Sequence, residues 1–169
     1  MTESDTHTGF ELHAAVHVHA DPHTVYDTVS DITRMGEWSP ENTGGEWLTG
    51  TPGRPGSRFH GHNRMEELTW TTECEIVEAE PGSRFSWAVL TGAPDVTASV
   101  WSFEMSPGED GGTELVQRYR LNTLPTGFRQ ALERLPDEEA AELMRQRREQ
   151  LRDALHRTVR GIKETLENS

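Results

Sequence analysis

The run DEEAAELMRQRREQLRDALHRTVRGIKETL, residues 137–166, keeps a helical period over a longer stretch than any earlier part of the chain. Leu143, Arg147, Leu151, Leu155, Val159 (or Thr158), Ile162 and Leu166 fall on one stripe at helical spacing. Asp137, Glu138 and Glu139 crowd the first turn and basic residues follow, which suits the helix macrodipole. The pattern predicts one amphipathic helix over 136–166, about 45 Å long at the standard rise, with a tail past Gly161 that frays. Arg145, Arg147, Arg148 and Arg152, interspersed with Glu149 and Asp153, read as its solvated, ion-paired face. An apolar stripe on a lone long helix needs an apolar surface to cover it.

The preceding residues supply that surface. FELHAAVHVHA, residues 10–20, alternates strictly: Phe10, Leu12, Ala14, Val16, Val18 and Ala20 share one face. Asp21-Pro22 is an N-cap followed by a first-turn proline, and Val25, Val29 and Ile32 continue it as a helix that closes near Gly36. Alternation returns over 57–63, 68–77, 85–89, 97–105 and 113–121, with turn signals at Pro81-Gly82 and at 108–112. A shorter helix is predicted over 126–135. The order is strand, one or two short helices, about six antiparallel strands, then the long helix. That is an α+β domain spanning 1–169, with residues 1–8 disordered.

Composition sets limits on function. The chain has 169 residues, only 33% of them hydrophobic, so a thin or hollow core is expected. A net charge of −13 repels phosphate backbones, which argues against a nucleic-acid partner. No apolar run approaches the length of a membrane span, and the polar N-terminus lacks signal-peptide character, so a cytoplasmic protein without membrane insertion is expected. The single cysteine, Cys74, excludes an internal disulfide and reads as a small buried hydrophobe. His13, His17 and His19 share one strand face, and His60 and His62 share another. Each face lies opposite an apolar one, so these histidines read as solvated and no metal site is expected.

The inward faces of the strands hold Phe59, Gly61, Asn63, Trp70, Thr72, Cys74, Phe85, Trp87, Trp101, Phe103, Gln117 and Tyr119. Aromatic walls with a few amide and hydroxyl groups suit a small-molecule pocket, whereas a filled core favours Leu, Ile and Val. The arginines near strands, Arg58, Arg64, Arg84, Arg118 and Arg120, alternate outward, and no charged residue is required to face in.

The ordered set VYDTVSDITRMGEWSPE (25–41), FHGHNR (59–64), WTTECEIVEAEPGSRFSW (70–87) and WSFEMSPGEDGGTELVQRYRL (101–121) resembles the polyketide cyclase/dehydrase and lipid-transport family of the START/Bet v 1-like superfamily. The resemblance implies a helix-grip fold. A curved seven-stranded antiparallel sheet, with two short helices after its first strand, wraps the C-terminal helix around a cavity. It implies binding of a small hydrophobic or aromatic molecule, lipid- or polyketide-like, with no cofactor, by a monomer or homodimer. The expected contacts are Trp38, Phe59, Asn63, Trp70, Thr72, Phe85, Trp87, Trp101, Phe103, Gln117 and Tyr119. One alternative is a polyketide cyclase or dehydratase acting in the same cavity with Tyr119, Asn63 or Gln117 as polar participants. Another is a stress-related protein-interaction module on the same scaffold. RMGEWSPENTGGEW, residues 34–47, looks like a turn carrying two tryptophans. In a helix-grip fold it edges the cavity, where Trp38 either seals the core or gates a ligand and Trp47 begins the next strand.

Overall fold

A computed structural model describes residues 9–91, 96–124 and 126–168. The expectation of disorder at residues 1–8 lies outside the described residues. Strand β1 (Glu11–Val18) is followed by helix α1 (Pro22–Val29) and a 3₁₀ segment (Ile32–Glu37). Six further strands follow: β2 (Asn42–Thr49), β3 (Arg58–Met65), β4 (Leu68–Glu80), β5 (Arg84–Leu90), β6 (Thr97–Pro107) and β7 (Thr113–Leu121). Helices α2 (Thr126–Glu133) and α3 (Asp137–Glu167) complete the order.

The seven strands form one antiparallel sheet in the order β1-β7-β6-β5-β4-β3-β2. β1 and β2 are therefore its open edges. Register shifts interrupt β2 at Asn42/Gly44 and Trp47/Thr49, and the β4–β5 pair at Ile76/Glu78. An irregularity of this kind bends a strand and increases its twist, which curves the sheet. The concave face carries the apolar set, and α3 lies on it against β1 and β7. Arg58 with Glu73 and Glu75, and Arg84 and Arg118 with Glu104, form ion pairs on the convex face. The helix-grip arrangement is thus the one the chain adopts.

The first helical region is broken in two rather than running to Gly36. Asp21 caps α1 by accepting from the His23 and Thr24 amides at 3.0 and 3.1 Å, and α1 ends at Ser30. Asp31 starts the second segment by accepting from the Thr33 amide at 3.0 Å. A second competent cap so soon after the first ends one segment and starts another.

The Gly44-Gly45 pair is not a turn. It lies inside β2, where the 3₁₀ segment packs flush on the strand. A Cβ at Gly45 would stand 2.7 Å from the His60 carbonyl oxygen and 3.1 Å from Ile32 Cδ1. Trp47 sits well within β2 rather than at its start, directly opposite Phe59, their rings 5.5 Å apart.

Helix α3 runs to Glu167 without fraying past Gly161. Its last two turns are tied down: Lys163 Nζ donates to the His17 carbonyl at 2.7 Å, and Glu167 accepts from the His19 amide at 2.9 Å. Among the described residues, no helix is long and apolar enough to cross a membrane.

Candidate functional site

Sheet register decides which side chains meet. Asn63 faces Trp70, Gly61 faces Thr72, and Phe59 faces Cys74 across β3 and β4. Trp87, Trp101, Tyr119 and Leu12 form one row across four strands, and Phe85, Phe103, Gln117 and Ala14 form the next. The rings interlock: Trp87 and Trp101 stack at 6.4 Å and 12°, and Trp101 meets Tyr119 at 4.5 Å.

Between these strands and α3 lies a cavity of about 160 Å³. Its wall includes Phe59, Asn63, Trp70, Thr72, Cys74, Trp87, Trp101, Gln117 and Tyr119 from the sheet. Ile32 and Met35 come from the 3₁₀ segment, and Arg147, Leu151, Ala154 and Thr158 from α3. Eight of the eleven expected contacts thus share one cavity. Trp38, Phe85 and Phe103 stand outside its wall. Phe85 and Phe103 are fully buried, and Phe85 packs edge-on against Tyr26 of α1 at 6.0 Å.

Trp38 is 7% exposed and holds the 3₁₀ segment to α3. Its indole N–H donates to Thr165 Oγ1 at 3.0 Å, and Arg34 lies over its ring at 5.1 Å. A Cβ on Gly161 would come within 3.1 Å of Trp38 Cδ1, so the missing side chain leaves the space the indole fills. Trp38 thus packs between the 3₁₀ segment and α3, outside the cavity wall.

The wall also contains a charged pair, Arg147 and Glu41. Arg147 does not belong to the solvated face of α3. Its guanidinium donates to both carboxylate oxygens of Glu41, at 2.6 and 3.0 Å. The two side chains are 25% and 17% exposed. Glu41 is positioned from the other side: Ser39 Oγ accepts from the Glu41 and Asn42 amides, and the Glu41 carbonyl accepts from the Arg64 amide at 2.8 Å. A detectable signal did exist, since Arg147 interrupts the apolar stripe between Leu143 and Leu151. Nothing in the sequence marked Glu41 as its partner.

The polar groups of the wall differ in how they are satisfied. Burial pushes the Tyr119 phenol above its ordinary value, with Arg147 and the Ser99 hydroxyl opposing and Glu41 adding slightly. The phenol is therefore a proton donor at neutral pH. Burial likewise pushes the Cys74 thiol up to about 11, so it presents no thiolate. Asn63 Nδ2 donates to the Gly61 carbonyl at 3.2 Å. Gln117, 3% exposed, has an Oε1 without a hydrogen-bond partner among the described residues. His60 and His62 lie on the outer face, both beside Glu46 at 3.7 and 3.4 Å. Among the described residues no three His, Cys, Asp or Glu side chains converge in a way that could hold a metal ion.

Known structures share this architecture. The chain is 31% identical to a polyketide-cyclase-like protein from Corynebacterium glutamicum, solved by NMR, over 95% of this chain and 92% of that one, with a TM-score of 0.65. It superposes on a ginseng (Panax ginseng) major latex-like protein at 13% identity, covering 94% of this chain and 97% of that one, with a TM-score of 0.63. It also superposes on the di-domain ARO/CYC of the steffimycin biosynthetic pathway at 15% identity, over 95% of this chain and 51% of that one, with a TM-score of 0.71. At identities as low as the last two, the likeness is one of fold. No curated protein matches the chain. The family model for polyketide cyclase / dehydrase and lipid transport, by contrast, matches residues 9–160. That match runs from β1 through the cavity-lining turns of α3, and the chain belongs to that family.

Proposed function

We propose that the protein binds a small hydrophobic or aromatic molecule in the cavity between the sheet and α3. The observation that supports this reading is the wall itself. Trp70, Trp87, Trp101, Phe59 and Tyr119 surround unfilled space instead of closing it. A wall of rings with few polar groups is how proteins hold apolar ligands. The volume limits the guest. A cavity of about 150 Å³ lined by apolar side chains accommodates a benzene ring. Drug-sized pockets begin near ~300 Å³. At about 160 Å³ the cavity takes a one-ring guest as it stands. A longer lipid or polyketide exceeds this volume and requires the wall to open.

A second reading, cyclisation or dehydration in the same cavity, is favoured by one feature. Tyr119, protonated at neutral pH, sits under the electrostatic influence of Arg147 and Glu41. That places a proton donor and an ion pair beside the space a substrate would fill.

Native mass spectrometry of protein purified from its own host tests binding directly. A co-purifying small molecule that leaves on mild denaturation is the expected result. Protein that co-purifies with nothing, and that also fails to take up one-ring aromatics in titration, overturns the binding reading. Turnover of a bound molecule that Tyr119→Phe abolishes would establish the catalytic one.

A further inference from the structure

We propose that the ligand is an uncharged aromatic molecule bearing a hydrogen-bond donor, a phenol or an N–H heteroaromatic, and that Gln117 Oε1 is the acceptor that selects it. The inference rests on the cavity being a ligand site and names what that site prefers.

Gln117 is 3% exposed and lines the cavity, yet its Oε1 has no hydrogen-bond partner among the described residues. Buried acceptors are almost always paired, because leaving one unmade forfeits its hydration without return. The sheet explains why none is found locally. Both cross-strand neighbours of Gln117, Phe103 and Ala14, are apolar, and so is Leu115 two residues before it on the same strand face, while the Tyr119 phenol two residues after it is engaged with the Ser99 hydroxyl. A glutamine in this row is a poor choice for packing alone. Leu or Met would fill the same volume without an orphaned oxygen. A guest that brings a donor to Oε1 removes the cost.

Charge narrows the class further. The Arg147 guanidinium is already engaged through two hydrogen bonds to Glu41. An anionic guest would meet Glu41 beside Arg147, and a buried charge without a partner is strongly disfavoured. The aromatic wall and the cavity of about 160 Å³ set the size near one ring.

Phenol and toluene have nearly the same shape and differ in the donor, and benzoate adds the charge. Calorimetric titration of the wild-type protein and of Gln117→Met with all three reads the preference. In the wild type, phenol is expected to bind more tightly, relative to toluene, than their water-to-alkane transfer free energies dictate, and benzoate most weakly. In Gln117→Met the toluene-to-phenol Kd ratio is expected to fall about tenfold, the scale of one buried hydrogen bond. Gln117→Leu repeats the comparison should the Met variant lose its native circular dichroism. A wild-type ratio that merely follows transfer free energies, or one unchanged by both substitutions, overturns the role of Gln117 while leaving the cavity as a binding site. Absence of binding by both phenol and toluene overturns the cavity reading and this inference with it.

Discussion

Arg147 lies on the apolar stripe of α3, and its guanidinium reaches Glu41. A pair this sheltered matters in two ways. Its two parallel bonds join α3 to the segment entering β2, and it removes the free charge from the cavity wall. Glu41→Gln keeps the shape and leaves Arg147 uncompensated. Benzoate, the weakest wild-type probe, is then expected to gain at least tenfold in affinity by calorimetry. Stability should fall by about 1–2 kcal/mol in urea titration, a figure reduced from the fully buried case because both side chains retain solvent contact. Unchanged benzoate affinity would show that Arg147 does not face the guest. Cys74 gives a pH prediction. Burial pushes its thiol from an ordinary 9.0 up to about 11. The unfolded chain therefore releases this proton before the folded one does. The stability Cys74 contributes is complete below about pH 9 and is lost as pH rises towards 11. Tyr119, also raised by burial, acts in the same direction. Cys74→Ala should lower stability at neutral pH and flatten the decline of the urea midpoint between those two pH values. A decline as steep as in the wild type would contradict the burial of the thiol.

At the scale of elements, period was the legible quantity. Two-residue alternation located the strands and the helical stripe located α3, because one-sided burial imposes those periods directly. The inward set of the sheet was legible for the same reason. Elements shaped by close approach were not. The glycines of β2 read as a turn because sequence alone does not reveal the Ile32 side chain and His60 carbonyl pressed against Gly45. Phe85 and Phe103 read as cavity residues because alternation gives the face of a strand but not the position along it, and their end of the sheet is covered by α1. Arg147 read as solvated because one helix face carries several arginines, and which of them finds an acid depends on a residue 106 positions away. The 3₁₀ segment illustrates a testable consequence. Trp38 links it to α3 through one hydrogen bond to Thr165. Trp38→Phe should cost about 1 kcal/mol in stability, the usual net worth of such a bond. Ligand-induced change in tryptophan fluorescence should persist in that variant, because Trp87 and Trp101 line the cavity and Trp38 does not. Loss of the signal in Trp38→Phe would make Trp38 a gate.

For the whole molecule, the open sheet poses the structural problem. β1 and β2 are at opposite edges and share no hydrogen bonds, so sheet pairing alone does not fix how far apart they stand. The C-terminal turns of α3 set that distance. Lys163 and Glu167 hold the end of β1 through His17 and His19. Thr165 holds Trp38, whose 3₁₀ segment packs on β2. One helix end thus spans both edges and keeps the concave face from flattening or spreading. The central strands have a neighbour on each side and do not depend on it. This division predicts an uneven response to damage. The double variant Lys163→Met/Thr165→Val removes one hydrogen bond to each edge, together with the partly exposed Lys163–Glu167 ion pair, whose contribution is small, at little change in volume. Stability should drop by about 2 kcal/mol, roughly 1 for each bond. Native-state hydrogen exchange should lose protection first in β1, the 3₁₀ segment and the last turns of α3, by about tenfold or more, while β4, β5 and β6 keep theirs. The 3₁₀ segment, β2 and α3 all line the cavity, so the same variant should take up one-ring aromatics faster than the wild type in stopped-flow mixing. Uniform loss of protection across all seven strands would mean that the sheet holds its own curvature and that the helix end is a passenger.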